Sequence, residues 1–174
     1  MSVEALKRPL PKPTEATYVE ARLIEALTEA RLALELLERG ITRNAAGKAF
    51  QAWKALLAAL LRLELEKLKA AAKTGEERKR LESTAIPRVP TTKMVSLKLE
   101  EVGHEGVVAW TSLALNLHDY QHRGPDPDMA LSKFRAREEA AEHVRKLAAG
   151  TAKRAEALQR ALEELREALS KPRP

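Results

Sequence analysis

The densest group of polar side chains in the chain is His118-Asp119-Tyr120-Gln121-His122-Arg123. His118 and His122 stand one helical turn apart, a spacing at which two imidazoles can face one ligand. A zinc site needs at least one further ligand, and no HExxH arrangement is present, so no metal and no cofactor is expected. At a helix C-terminus the same histidines and Arg123 also sit where the helix dipole favours cations, which accounts for them without a ligand. A second group is Arg43 and Lys48, near a helix start where outward N–H groups and two cations can receive a phosphate. Solvated surface cations are the plainer reading of that pair. The third group is Arg137 and His143. Cleavage of RNA needs a base to activate the 2′-hydroxyl and a cation for the developing charge, and these two side chains could supply both. Six positions along one helix turn through about 240°, so they would serve one site only across a dimer or beside a groove. The plainer reading of Arg137, bounded by Glu138 and Glu139, is an interhelical ion pair. Arg43, Lys48, His118, Tyr120, His122 and Arg123 are therefore the candidate ligand-binding residues, and Arg137 and His143 the candidate catalytic ones.

These groups must be positioned by helices. Thr14 or Thr17 opens the first, with Thr17 and Glu20 at capping-box spacing. Leu23, Leu27, Ala30, Leu34 and Leu37 then form an amphipathic stripe. Gly40 supplies a left-handed stop, and the short turn before Arg43 makes the first two helices antiparallel. The second, N-capped by Thr42, runs without proline through Lys73 to Gly75, a rod of roughly 45 Å. Its Phe50, Trp53, Leu56, Leu57, Leu60, Leu61, Leu63 and Leu68 offer more apolar surface than one neighbour can cover. Trp53 and Trp110 fall at core spacing. Gly47 is expected to let another backbone approach closely.

After a helical turn or two at EERKRLES, Pro87 and Pro90 hold STAIPRVPTT extended, with Ile86 and Val89 against the bundle. A third helical region starts near Thr91 or Thr92, breaks around Gly103–Gly106, and ends at Gly124-Pro125-Asp126-Pro127. The final stripe runs Phe134, Arg137, Ala141, Val144, Ala148, Thr151, Ala155, Leu158, Leu162, Leu165, Leu169. Its phase holds across Gly150, so one helix from about Ser132 to Ser170 is expected, at a cost of about 1 kcal/mol for the glycine. The reading is an all-α, up-and-down bundle of four to five helices with a long C-terminal helix. Residues 1–13 form a basic, proline-rich tail, 14–170 one domain with 150–170 as a projecting arm, and 171–174 a second tail.

Composition narrows the chemistry. The chain has 174 residues, no cysteine and a net charge of +6, which removes disulfides and thiolate chemistry. Lys7, Arg8 and Lys12 against Glu4 leave +2 in the first tail, and Lys171 with Arg173 leave +2 in the last. The body is nearly balanced, which weakens the charge argument for a nucleic-acid surface. No apolar run reaches the roughly 18 residues of a membrane span, and no signal-peptide core opens the chain. A cytoplasmic protein with no membrane partner is expected.

The segments ALELLERGITRNAAGKAFQAWKALLAAL (33–60), AWTSLALNLHDYQHRGPDPD (109–128) and FRAREEAAEHVRKL (134–147) resemble the HEPN superfamily, and within it the archaeal paralogous-repeat (PaREP) proteins. The resemblance covers most of residues 17–147. It implies a helical bundle that is usually dimeric. Many HEPN domains are toxin ribonucleases of toxin–antitoxin pairs with an Arg-x(4–6)-His motif at a dimer cleft, and Arg137 with His143 satisfies that pattern. Other members act as binding or assembly modules, some beside a minimal nucleotidyltransferase. The first expectation is therefore a homodimeric, non-catalytic interaction module that binds a nucleotide or RNA. The alternatives are a metal-independent endoribonuclease using Arg137 and His143, and a coiled-coil scaffold built on the C-terminal leucines.

Overall fold

The computed structural model describes residues 9–85 and 93–170. The connector around Ile86 and Val89, the helix start at Thr91 or Thr92, residues 1–8 of the first tail and the tail 171–174 lie outside them. The described residues contain seven helices and no strand. Four are long: α1 (Tyr18–Glu38), α2 (Thr42–Leu63), α6 (Val107–Arg123) and α7 (Arg137–Ser170). Three are short: α3 (Leu65–Ala71), α4 (Gly75–Arg80), which runs into a π turn at Leu81–Ala85, and α5 (Lys93–Glu101).

The start of α1 differs from the capping-box expectation. Thr17 is the N-cap residue, yet it adopts a helical conformation and its hydroxyl makes no cap bond. Glu20 instead meets Arg166 of α7 at 3.3 Å. The end of α1 is as expected. Gly40 has φ +74°, its N–H donates to Leu37 O at 2.9 Å, and the Ile41 N–H donates to Leu36 O at 2.9 Å. This is the paired closure of a Schellman turn, and it reverses the chain within two residues. Ile41, not Thr42, is the N-cap of α2. Thr42 is the first helical residue, buried, with no side-chain capping bond.

Helix α2 is the hub. Its Phe50, Trp53, Leu56, Leu57, Leu60 and Leu61 are buried, while Leu63 is exposed. Ala45, Ala46, Ala49, Ala52, Ala55, Ala58 and Ala59 are buried as well. Side chains this short let the axes of α1, α6 and α7 approach closely on every side. The rod is shorter than the sequence implies: its 22 residues span about 33 Å. It deflects at Glu64, whose φ −94° and ψ 8° leave the helical region. The backbone ladder continues across the bend, from the Glu64 N–H to Leu60 O at 2.9 Å and from the Leu68 N–H to Glu64 O at 2.8 Å. Glu64 is held there by His104 at 3.1 Å and Lys67 at 2.7 Å. Burial opposes ionisation of its carboxyl, but the hydrogen bonds from Lys67 and His104 prevail and hold it below the usual carboxylate range.

Three contacts set the directions of the long helices. Arg43 at the start of α2 bonds to the end of α6, Glu20 near the start of α1 meets Arg166 near the end of α7, and Gly40 adjoins Arg137. Helices α1 and α6 therefore run towards one pole of the bundle and α2 and α7 away from it, an up-and-down arrangement. In the interior, Thr111 Oγ1 accepts from Trp53 Nε1 at 3.0 Å and from Ser96 Oγ at 2.7 Å, joining α2, α5 and α6. The expected break between α5 and α6 is present, with Gly103 and Gly106 both at positive φ.

The last helix begins at Arg137 rather than Ser132. Before it, Asp126 organises the loop by accepting from the backbone N–H of Leu131 at 2.6 Å and of Ser132 at 3.2 Å. Those bonds hold its carboxyl below the usual range, and they leave Phe134 buried ahead of the helix. From there α7 runs through Gly150 without interruption. Val144, Ala148, Thr151 and Ala155 are buried and Leu158 and Leu162 partly so, whereas Leu165 is 56 % and Leu169 78 % exposed. The 34 residues of α7 span about 51 Å, well beyond the length of α2.

Gly150 has a packing reason. A Cβ there would lie 2.4 Å from Cη2 and 2.6 Å from Cζ3 of Trp110, and that ring is braced by stacking on Trp53 at 6.1 Å. In an open helix interior, replacing Gly by Ala gains about 1 kcal/mol. Here Gly150→Ala is expected to reverse that sign and cost about 1–3 kcal/mol through overpacking. In a Trp110→Ala background the ordinary gain should return. Denaturant midpoints of the four proteins check this, and a Gly150→Ala protein more stable than its parent would overturn it.

Candidate functional site

The pole where α1 ends, α2 begins, α6 ends and α7 begins collects the polar candidates. Arg43, in the first turn of α2, donates from Nε to Gln121 O at 2.9 Å and from Nη2 to His122 O at 2.7 Å. It thus supplies the cation at the α6 C-terminus, the role that the sequence assigned to His122 and Arg123. Lys48 lies one turn further along α2 and pairs with Glu29 of α1 at 3.0 Å. Between these elements opens a polar cleft of about 510 Å³ whose lining includes Arg43, Asn44, Lys48, Gln51, Gln121 and His122. Gly47 also lines it. No backbone approaches that glycine as expected; the Gln121 side-chain amide does, and a Cβ would meet its Cδ at 2.5 Å.

Three of the six candidate ligand residues, Arg43, Lys48 and His122, meet in this cleft. His118 stands behind it. Its ring stacks on Phe50 with centroids 4.3 Å apart, and His122 meets it edge-on at 4.8 Å. His118 Nδ1 is buried and has no hydrogen-bond partner among the described residues. No group of three or more His, Cys, Asp or Glu among the described residues could hold a metal ion. Tyr120 is buried and packs edge-on against Phe134 at 5.7 Å. Burial pushes its phenol up from the ordinary value, while the nearby charges of Arg137 and Arg43 pull it down and Glu138 adds to the rise. Arg123 is exposed and does not line the cleft.

On α7, Arg137 is exposed and His143 half-buried. Arg137 makes no interhelical ion pair among the described residues; its Nε lies 3.5 Å from the neighbouring Glu138. It is the first residue of α7, close to the helix start. His143 Nδ1 lies 2.9 Å from Glu139 O, and its ring is 5.1 Å from that of Phe134. His143 touches Phe134, which packs on Tyr120, and the charge of Arg137 acts on the Tyr120 phenol. No hydrogen bond among the described residues joins Arg137 to His143.

Asn44, Gln51 and Gln121 also line the cleft; none is among the sequence candidates, although Gln121 belongs to the polar run 118–123. All three fall within a turn of a named candidate on the same helix, so the i, i+3 and i, i+4 neighbours of Arg43, Lys48 and His118 were the available signal. The cleft combines fixed amide groups with cations at an open helix end. That arrangement can hold an anion and read its oxygens.

A family model described as the archaeal PaREP1/PaREP8 family matches residues 21–145. No curated protein and no solved structure matches the chain. The matched residues include α1 from its second turn, α2, α6 and the first turns of α7, and so every residue of the polar pole. No helix among the described residues is long and apolar enough to cross a membrane.

Proposed function

The chain belongs to the archaeal PaREP1/PaREP8 family, and on that premise we propose that it is a helical binding module whose polar pole takes the phosphates of a nucleotide or of RNA. The observation that carries this reading is the convergence of Arg43, Lys48 and His122 with amide side chains around one open cleft. Helix α2 begins there, and its N-terminal N–H groups favour an anion. Arg123 and Arg137 stand exposed nearby and extend the positive rim for a longer strand. The module acts as a homodimer through its long helices in this reading, supported by the uncovered Leu165 and Leu169 at the end of α7.

The test is a mobility-shift titration with single-stranded RNA in EDTA at several salt concentrations, with light scattering of the same protein. Wild type is expected to bind as a dimer. The variant His122→Ala/Arg123→Ala/Arg137→Ala is expected to bind at least tenfold more weakly. Its salt slope should also be shallower by about 0.7 for each phosphate that is no longer neutralised. Equal binding by both proteins would sink the proposal, as would no binding by the wild type.

Catalysis by Arg137 and His143 is the second reading. It is favoured by the charge of Arg137 acting on Tyr120, whose ring packs on the Phe134 that His143 touches. The same gel scores it, because RNA cleavage by wild type that disappears in Arg137→Ala/His143→Ala would replace the binding module with a metal-independent endoribonuclease.

A further inference from the structure

At the opposite end of the bundle lies a second cavity, of about 250 Å³. Leu56 and Leu60 of α2, Val107 of α6 and Leu158 of α7 make it apolar, and Gly103, His104 and Glu105 of the α5–α6 loop form its rim. One cation enters this apolar space, Arg154 of α7. Its guanidinium lies over the Trp110 ring, 4.5 Å from the centroid. Its one hydrogen bond among the described residues is a long one, from Nη1 to Gly150 O of its own helix at 3.4 Å.

Several partly covered cations have carboxylates: Arg22 pairs with Glu25, Lys48 with Glu29 and Lys98 with Glu77, while Arg62 is satisfied by Pro13 O at 2.7 Å. Arg154 has no carboxylate partner among the described residues. Burial alone holds its pKa below the ordinary guanidinium value. The acids at and behind the rim do not serve it. Glu64 is held by Lys67 and His104, and Glu105 on the rim is exposed and unpaired with Arg154. A guanidinium has five N–H donors in a fork that matches a carboxylate, so most of this fork is open. A partly desolvated charge without a counter-ion is unfavourable, and an anion brought by a ligand would offset that.

We propose that this cavity binds a small organic monocarboxylate, with the carboxylate on the Arg154 fork and the hydrocarbon part against Leu56, Leu60, Val107 and Leu158. A single cation matches one negative charge rather than a phosphate dianion, and four aliphatic walls match a tail. The volume lies just under the roughly 300–1,000 Å³ of drug-sized sites, so the ligand is smaller than those. Arg154 lies beyond the family-matched residues 21–145, and the proposal does not depend on the reading of the polar pole.

Octanoate is the probe, titrated into the full chain by calorimetry, with tryptophan fluorescence reporting on Trp110. Saturable one-to-one binding is expected. Octanol, which keeps the tail and lacks the charge, should bind at least tenfold more weakly, and Arg154→Met should lose at least tenfold for octanoate. Absence of saturable binding, equal binding of octanol, or equal binding by Arg154→Met would each overturn the proposal. Should Arg154→Met fail to fold by circular dichroism, Ala157→Phe decides. Ala157 lines the cavity and is exposed, so the larger ring fills the space from the lip and should block octanoate; unchanged binding there would overturn the proposal too.

Discussion

Cut after Gly150, the chain should lose its cooperative thermal transition, whereas a cut after Leu162 should shift the midpoint by only a few degrees. The segment 151–162 carries buried Thr151 and Ala155 and the partly buried Leu158 and Leu162, and these cover α1 and α2. Burying one leucine is worth about 1.5–3 kcal/mol. Losing the segment also uncovers the faces it packs on, so the total is on the order of 5 kcal/mol. A small domain has only about 5–15 kcal/mol in all. Residues 163–170 are exposed throughout, which is why the second cut is mild. Circular dichroism melts of the two truncations decide the matter. If the chain cut at Gly150 melts cooperatively near the full-length midpoint, α7 does not contribute to the core past its glycine.

Trp53→Ala is expected to cost about 3–5 kcal/mol, the range for removing a fully buried aromatic ring. The indole is fully buried, stacks near Trp110 and donates to Thr111 Oγ1 at 3.0 Å. The apolar and polar shares can be separated. Thr111→Val keeps the shape but strands the indole N–H, which should cost about 1–3 kcal/mol. In the double mutant Trp53→Ala/Thr111→Val the N–H is gone, so the threonine change should cost clearly less than it does alone. Strict additivity in urea denaturation would show that the hydrogen bond between them contributes nothing.

Much of the fold could be read from local patterns. The Gly40 turn, the stop at Gly124-Pro125 and the continuity of α7 across Gly150 each depend on residues adjacent in sequence. The bend at Glu64 could not, because half of its cause, His104, comes from 40 residues further on. The start of α7 was misjudged for a similar reason. The apolar stripe extends back to Phe134, but Asp126 fixes the preceding backbone as a loop, and Phe134 is buried from there instead. Thr17 and Thr42 had good capping chemistry in the wrong backbone geometry.

For the polar pole, the residue types were visible and their assembly was not. Nothing in the residues around Arg43 says that it reaches carbonyls 78 and 79 residues away. Arg154 was the least visible of all. In a helix with many surface cations it stands out only once Trp110 and the missing carboxylate are seen in space.

The continuity of α7 has a mechanical consequence. Arg137 at the pole and Arg154 at the far cavity are about 26 Å apart on one rod, at a rise of ~1.5 Å per residue. A rod without a hinge shares any axial slide or roll along its whole length. Whatever moves the helix at one of these arginines therefore moves it at the other, and the alanine-lined contact with α2 is the bearing on which it would turn.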